Sequence, residues 1–343
     1  MRRRLAEPAL LAGLALLSCA RVHAQVVLNA SSSASPAHPL TAGMLVPFCD
    51  DVSKVTQGRV RCNVLPKAPV AAAQTLDGVK DGVMDLSFIT HGYTPGRFAL
   101  TDAAEFPFLG DTAEATSVAF QRIHARMLAQ ANEHRDVVPL AVFTHGPGQI
   151  YNTRRPIRAI DDLAGLKIRV GAGIASEVAK SLGAVPMLKS ATESYELLSS
   201  GIADGVFFPK DSAASFKLVP VIRHVTYVPG GLYNVTFAWV VNRAKWSRIP
   251  EADRKAIEPL LGEALARRSG RAWDAADAVG ERAVREAGIP VVVADAKLIA
   301  EIKARTGELE RDWIEKKARP KGVDGEAVLA ALRAEIAALQ KAK

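Results

Sequence analysis

Residues 166–180 read LKIRVGAGIASEVAK, and this stretch decides the fold class. Apolar positions around Arg169 are typical of a short strand, two glycines form a turn, and Ile174 begins a segment with helical periodicity. Short apolar strands alternate with helices in the same way through most of the chain. This alternation predicts an α/β fold with largely parallel strands.

The same stretch has the outline of a dinucleotide-binding turn but lacks its details. Ser176 stands where the third glycine belongs, and the strand carries Lys167 and Arg169. No acidic residue closes a following strand about 20 positions later, where a ribose would need it. We therefore expect no dinucleotide.

Arg169 is the most informative side chain of this stretch. Glycines let a ligand approach the backbone, and a helix N-terminus favours an anion. The guanidinium of Arg169 can hold a carboxylate through two parallel hydrogen bonds. The alternative is a structural salt bridge between Arg169 and an acidic residue of the protein.

Two pairs of similar sequence segments indicate two similarly built lobes. In the first pair, GVMD at 82–85 and GIAD at 201–204 each lead from a helix into an apolar strand. In the second pair, FITHG at 88–92 and VFTHG at 142–146 each stand at the end of an apolar strand. Ligands of open α/β sheets bind beyond the carboxyl ends of the strands. We therefore predict a ligand cleft between two lobes.

The N-terminus is typical of an export signal. Arg2–Arg4 precede the apolar run 9–17, and small residues lead to Ala24. This pattern predicts a signal peptide at 1–24, cleavage after Ala24 and a periplasmic protein. The apolar run is shorter than the roughly 20 residues that span a bilayer. A lipoprotein signal that anchors Cys19 is the alternative.

The mature chain would keep Cys49 and Cys62 in an oxidising compartment. Thirteen positions separate them, as their numbers show, which is too wide for a redox Cys-x-x-Cys motif. Two thiols alone make a weak metal site. We therefore predict a structural disulfide and no metal.

Charge and motifs exclude several functions. Lys and Arg total 44 against 36 Asp and Glu, but the basic residues are scattered and carry no nucleic-acid-binding motif. The chain has no Gly-x-Ser-x-Gly elbow, His-Glu-x-x-His, P-loop or zinc spacing. His91 and His145 each follow an apolar strand in a Thr-His-Gly sequence, which makes them candidate catalytic residues. However, a histidine at the end of a strand more often forms a hydrogen bond within its loop. We therefore expect no enzyme activity, no cofactor and no nucleic-acid partner.

The order of segments over residues 26–315 resembles the DctP-type solute receptors of tripartite ATP-independent periplasmic (TRAP) transporters. The matching segments are GRV at 58–60, EFPFL at 105–109, NTRRPI at 152–157, DDLAGLKIRV at 161–170, GAVP at 183–186 and GIADG at 201–205. The resemblance implies a two-lobed periplasmic binding-protein fold with a long helix spanning both lobes. It places residues 25–145 and 233–275 in lobe I, 146–232 and 276–315 in lobe II, and 316–343 in a helical tail.

The resemblance also implies that Arg169 binds the ligand carboxylate. Two departures from the family pattern change the expected pocket. Gly148-Gln149 stands where sialic-acid-type members carry an arginine, and VFFPK at 206–210 replaces the Gln-Glu-Asn-Pro of many members. The pocket should therefore be more apolar, with Lys210 as a second cation. The expected ligand-binding residues are Arg169, Gln149, Phe208, Lys210, Tyr93, Ser32 and Asn234.

These observations predict a receptor that binds a small organic acid and delivers it to TRAP membrane permease subunits. A ligand-sensing receptor without a transport role is one alternative. A periplasmic enzyme that uses His91 or His145 is another.

Overall fold

The computed structural model describes residues 25–171 and 173–341, so the predicted signal peptide, with Cys19, lies outside the described residues. The described strands are β1 (Val26–Ala30), β2 (Val60–Val64), β3 (Leu86–Thr90), β4 (Val138–Thr144), β5 (Gln149–Asn152), β6 (Lys167–Val170), β7 (Val185–Leu188), β8 (Gly205–Phe208), β9 (His224–Tyr227), β10 (Thr236–Val241) and β11 (Val291–Val293). The described α-helices are α1 (Val46–Val55), α2 (Thr75–Lys80), α3 (Ala113–Ile123), α4 (Ile174–Ser181), α5 (Ser194–Ser199), α6 (Ser212–Ser215), α7 (Arg243–Arg248), α8 (Glu251–Ile257), α9 (Glu263–Glu286), α10 (Ala296–Trp313) and α11 (Gly325–Lys341).

The strands form two separate sheets. One has the order β2-β1-β3-β10-β4, and the other has the order β11-β9-β5-β8-β6-β7. We call the lobe built on the five-stranded sheet lobe I and the lobe built on the six-stranded sheet lobe II. Both sheets are covered by helices, and the two-lobed α/β architecture is as predicted.

Each sheet contains one reversed strand. β10 is antiparallel to β3 and β4, and β5 is antiparallel to β8 and β9. These are the strands that the chain enters directly after crossing from the other sheet. The chain leaves a parallel strand at its carboxyl end and enters the next sheet at the same, cleft-facing edge, so the new strand must run in the opposite direction.

The two crossing segments pair with each other. The amide of Gly148 donates to the carbonyl oxygen of Tyr233 at 2.8 Å, and the amide of Leu232 donates to that of Gly148 at 2.9 Å. The carboxyl ends of β3, β4, β6 and β8 therefore surround these crossings.

The long helix α9 packs on both lobes. Its Asp274 carboxylate accepts from the amides of Ala113 and Glu114 at 2.6 and 3.1 Å, at the start of α3 in lobe I. One turn later, Asp277 Oδ1 accepts from the amide of Asp211 at 2.7 Å in lobe II. Carboxylates stabilise helix N-termini such as that of α3. The long helix spanning both lobes is thus present.

Cys49 of α1 and Cys62 of β2 form the predicted disulfide, with their Cα atoms 5.5 Å apart. The bond fastens the first helix of lobe I to an edge strand of its sheet. In the core of lobe I, the buried Trp239 ring of β10 contacts Phe48 and Phe88, and its indole N–H donates to Ser269 Oγ at 3.0 Å.

The C-terminal helix α11 lies against lobe I. Arg122 of α3 donates from Nη1 to Glu335 at 2.9 Å, and the Ile336 side chain is buried close to Gly110. No helix within the described ranges combines the length and the apolar character that a membrane crossing requires.

Candidate ligand-binding site

A cavity lies between the two lobes, at the carboxyl ends of β3, β6 and β8. It holds about 690 Å³ of space between protein atoms, its open mouth included. Nine of its 22 lining residues carry aromatic rings: His38, Phe88, Tyr93, His145, Phe208, Phe216, Tyr233, Phe237 and Trp273. An apolar cavity with few polar groups is typical of small-molecule sites.

Arg169 is the cation of this cavity. Its side chain is buried, and its Nε and Nη2 donate to the carbonyl oxygen of Lys189 at 2.9 and 2.8 Å. The guanidinium carbon lies 4.5 Å from the centre of the Phe208 ring. Burial lowers the pKa of Arg169 below its ordinary value. A buried cation held by a carbonyl and a ring face retains the capacity to bind an anion.

Two further predicted residues line the cavity with Arg169. Phe208 also stacks on Phe216, with centroids 5.2 Å apart and ring planes 9° apart. Tyr93 follows β3 in lobe I, and its hydroxyl oxygen accepts from the amide of Ala191 in lobe II at 3.2 Å. The structure therefore brings Arg169, Phe208 and Tyr93 together.

Gln149 and Lys210 are placed elsewhere, because other groups engage their polar atoms. Gln149 donates from Nε2 to the carbonyl oxygen of Pro147 at 3.0 Å, and its Oε1 accepts from the amide of Val228 at 2.6 Å. Lys210 Nζ pairs with Glu281 at 2.9 Å and lies 4.5 Å from the Tyr227 ring centre. Both side chains line a separate surface groove next to α9.

Ser32 and Asn234 also lie outside the cavity lining. Ser32 Oγ accepts from the amide of Ala34 at 3.1 Å, and it is the neighbouring Ser33 that faces the cavity. Asn234 is buried in the second crossing segment, where its Oδ1 has no partner among the described residues.

The turn after β6 differs from the expectation in one respect. Gly171 lines the cavity, and Gly173 adopts φ +66°, which favours glycine. However, the amide of Ile174, the first residue of α4, donates to Glu105 Oε2 at 3.2 Å. Glu105 of lobe I, rather than a ligand, thus occupies this helix N-terminus. Burial, reinforced by Asp102, raises the pKa of Glu105 to about 8.

The two histidines with matched sequence contexts have different environments. His145 lines the cavity, where its Nδ1 contacts the carbonyl oxygen of Gly146, and burial lowers its pKa to about 4. His91 lies in the core of lobe I, 3.0 Å from Thr236 Oγ1 and 2.9 Å from His134 Nε2. Across the described ranges, no three His, Cys, Asp or Glu side chains are grouped to hold a metal ion.

Most of the aromatic wall of the cavity was not predicted from the sequence, and His38, Phe237 and Trp273 are examples. His38 follows a serine-rich loop, Phe237 is one of several apolar residues of β10, and Trp273 belongs to the apolar stripe of α9. In the sequence, the two aromatic residues have the same pattern as residues that only pack the core.

The model of the family of bacterial extracellular solute-binding proteins, family 7 (DctP), matches residues 30–317. The chain belongs to this family.

Relatives of known structure share the whole fold. A TRAP periplasmic solute-binding protein from Bordetella bronchiseptica, solved with (R)- and (S)-mandelate, is 45% identical with a TM-score of 0.89, covering 92% of this chain and 99% of that chain. A TRAP solute-binding protein from Rhodoferax ferrireducens T118, in complex with copurified benzoate, is 30% identical with a TM-score of 0.87, covering 93% and 99%. In sequence, the outer membrane transporter protein TsaT of Comamonas testosteroni is 33% identical over 98% of both chains.

The predicted family, the two-lobed fold and the class of function, a solute receptor for an organic acid, are therefore confirmed. Receptors of this type work with TRAP membrane transporter components and are periplasmic.

Proposed function

We propose that this family 7 receptor binds an aromatic monocarboxylate through Arg169 and delivers it to the membrane permease of a TRAP transporter. The observation that carries the proposal is the buried Arg169 guanidinium inside a wall of aromatic rings. In this proposal the mature receptor begins at Gln25 in the periplasm, after cleavage of the signal peptide. Lobe I comprises residues 25–145 and 233–275, and lobe II comprises residues 146–232 and 276–315.

The charge of the cavity supports a monocarboxylate. Arg169 is the one Lys or Arg among the described residues that line it. Burial lowers the pKa values of His38 and His145 to about 4, so both rings are neutral at pH 7. The positive charge of Lys210 is neutralised by Glu281 outside the cavity. One carboxylate therefore balances the charge of the cavity, whereas a second would be buried without a partner.

The rings support an aromatic body for the ligand. Phe208 and Phe216 form a stacked pair beside Arg169, and Phe88 and Phe237 line the same cavity. Aromatic side chains stack favourably on flat apolar groups. The ligands of the two solved relatives described above, mandelate and benzoate, have this form.

The test is calorimetric titration of benzoate and mandelate into the wild type, Arg169→Ala and Arg169→Lys. Removing one partner of a buried charge pair costs about 3–5 kcal/mol, so Arg169→Ala should bind two to three orders of magnitude more weakly. Arg169→Lys should recover little, because an ammonium cannot form the two-pronged contact.

Lys210→Ala is the matched control, since it removes a cation outside the cavity and should bind as the wild type does. Binding by Arg169→Ala within a few-fold of wild type would overturn the proposed anchor. Mass spectrometry of small molecules released by denaturing the exported protein would identify the natural acid, and co-purification with permease subunits would test delivery.

A further inference from the structure

Two N–H donors on the cavity wall have no hydrogen-bond partner among the described residues. They are Nε2 of His38 and Nε1 of Trp273. Both residues are nearly fully buried, with exposures of only 3% and 4%. Buried donors are nearly always paired in native proteins, and an unpaired donor in a binding cavity therefore points to a ligand acceptor.

The contacts of His38 define which nitrogen carries its proton. The amide of Leu40 donates to Nδ1 of His38 at 3.1 Å, so Nδ1 is an acceptor and the ring proton belongs on Nε2. Burial lowers the pKa of His38 to about 4, which keeps the ring neutral at pH 7. The indole of Trp273 is a donor only. Both nitrogens therefore offer a hydrogen bond without offering a positive charge.

The two donors belong to one corner of the cavity. The His38 and Trp273 rings meet edge to face, with centroids 6.2 Å apart. Along the wall, the rings of Phe208 and Phe216 separate this corner from Arg169. Arg169 lies over Phe208 at 4.5 Å, Phe208 stacks on Phe216, and Phe216 contacts His38 with centroids 5.1 Å apart. The rings therefore form a continuous series of contacts from Arg169 to this corner.

We propose that His38 and Trp273 form a second polar subsite, which binds an uncharged oxygen of the acid whose carboxylate is held by Arg169. This inference rests on the proposed function. A hydroxyl, carbonyl or ether oxygen can accept both hydrogen bonds. A second carboxylate would be disfavoured, because the corner supplies no cation to replace its hydration. The preferred substrates are thus hydroxylated or oxo-substituted aromatic monocarboxylates.

The test compares pairs of acids in which a methyl group replaces the hydroxyl. The pairs are 3-hydroxybenzoate with 3-methylbenzoate, 4-hydroxybenzoate with 4-methylbenzoate, and mandelate with 2-phenylpropanoate. For at least one pair, the wild type should bind the hydroxylated acid about 10-fold more tightly by calorimetry, because the methyl partner leaves the buried donors unpaired.

Three variants separate the donors from the shape of the cavity. Trp273→Phe removes one N–H and keeps a ring, and His38→Asn keeps an acceptor for the Leu40 amide while removing the distal donor. For the pair in which the wild type prefers the hydroxylated acid, each of these two variants should bind the two acids with affinities within about 3-fold of each other. The affinity for the methyl acid should stay nearly unchanged. His38→Gln places an N–H near the position of Nε2 and should retain most of the preference.

Should a variant fail to fold, the indole N–H resonance of Trp273 in the wild type gives a second readout. It should shift downfield with the hydroxylated acid and not with its methyl partner. Equal affinities within all three pairs, or a ratio that survives both Trp273→Phe and His38→Asn, would overturn the subsite while leaving Arg169 as the anchor. If neither member of any pair binds the wild type, or if Arg169→Ala binds both members as the wild type does, the proposed function fails first.

Discussion

The guanidinium of Arg169 lies over the face of the Phe208 ring, 4.5 Å from its centre, in the interior of the cavity. Two hydrogen bonds from Nε and Nη2 to the carbonyl oxygen of Lys189 hold one edge of the guanidinium in place. Groups of the protein itself therefore orient Arg169. This orientation reduces the side-chain entropy that binding would otherwise cost.

Phe208→Leu tests the contribution of this ring contact. The substitution removes a cation–π contact worth about 0.5–2 kcal/mol and should weaken benzoate binding about 10-fold in calorimetry. Phe216→Leu is the matched control, because Phe216 belongs to the same ring stack but lies beyond Phe208 from Arg169. Equal losses in the two variants would show that apolar area, rather than the position of the guanidinium, controls affinity.

Removal of the Cys49–Cys62 disulfide should destabilise lobe I. The bond closes a loop of 13 residues, for which the chain-entropy model gives about 3 kcal/mol. The double variant Cys49→Ser/Cys62→Ser should lose about this free energy of unfolding in a urea titration. Reductant should lower the stability of the wild type to the level of the variant and leave the variant unchanged. Two alkylatable thiols in exported protein without reductant would contradict the expectation.

His134 should make stability depend on pH. Burial lowers its pKa to about 3, whereas the unfolded chain titrates near 6.5. Its neutral form thus contributes stability that is complete above pH 6.5 and is lost as the pH falls, because only the unfolded state binds the proton. The loss reaches about 2 kcal/mol at pH 5, at 1.4 kcal/mol per pH unit.

The difference between the wild type and His134→Gln isolates this contribution. Burial raises the pKa of Glu105 to about 8 and that of Asp211 to about 7, and these groups act in the opposite direction in both proteins. Urea unfolding at pH 7.5, 6.5 and 5 should show the wild type losing stability relative to His134→Gln only below pH 6.5. A constant difference across this range would mean that His134 does not stay neutral in the folded state.

The sequence predicted those parts of the site that a local pattern encodes. Arg169 could be recognised because a charged residue interrupts an apolar strand next to two glycines, and the disulfide followed from two cysteines in an exported chain. The side-chain partners of Lys210 and Gln149 could not be predicted in this way. Lys210 pairs with Glu281, 71 positions away, and Gln149 with the amide of Val228, 79 positions away. Such pairings depend on how the crossing segments and α9 pack, which no local pattern records.

Trp273 and His38 line the cavity, although no local sequence pattern predicts that they do. Trp273 has the spacing of a residue that packs α9 onto lobe I, and only the fold turns its ring into the cavity wall. His38 faces the cavity because the amide of Leu40 holds its Nδ1. Its role depends on Phe216 and Trp273, which approach it from distant parts of the chain.

The carboxyl group of Glu105 joins the two lobes. Its Oε1 accepts from the amide and the hydroxyl of Thr236 in lobe I at 3.0 and 2.7 Å, and its Oε2 accepts from the amide of Ile174 in lobe II at 3.2 Å. A carboxyl oxygen accepts the Ile174 bond in either protonation state, whereas the amide nitrogen of a glutamine cannot.

Glu105→Gln should therefore keep the Thr236 bonds and lose the contact between the lobes. We expect the two lobes to close on a ligand by a hinge, and in the closed form the Ile174 amide is buried. Leaving this donor unpaired costs about 1–3 kcal/mol, so the closed form of Glu105→Gln should be less populated and benzoate should bind about 10-fold more weakly. In solution scattering, benzoate should reduce the radius of gyration of the wild type and reduce that of Glu105→Gln less at the same concentration. Asp102→Asn is the control, because the Asp102 carboxylate pairs with Lys317 and not with the start of α4. The lobes of this variant should close as those of the wild type do. A Glu105→Gln protein that binds and closes like the wild type would show that this carboxyl group only supports lobe I.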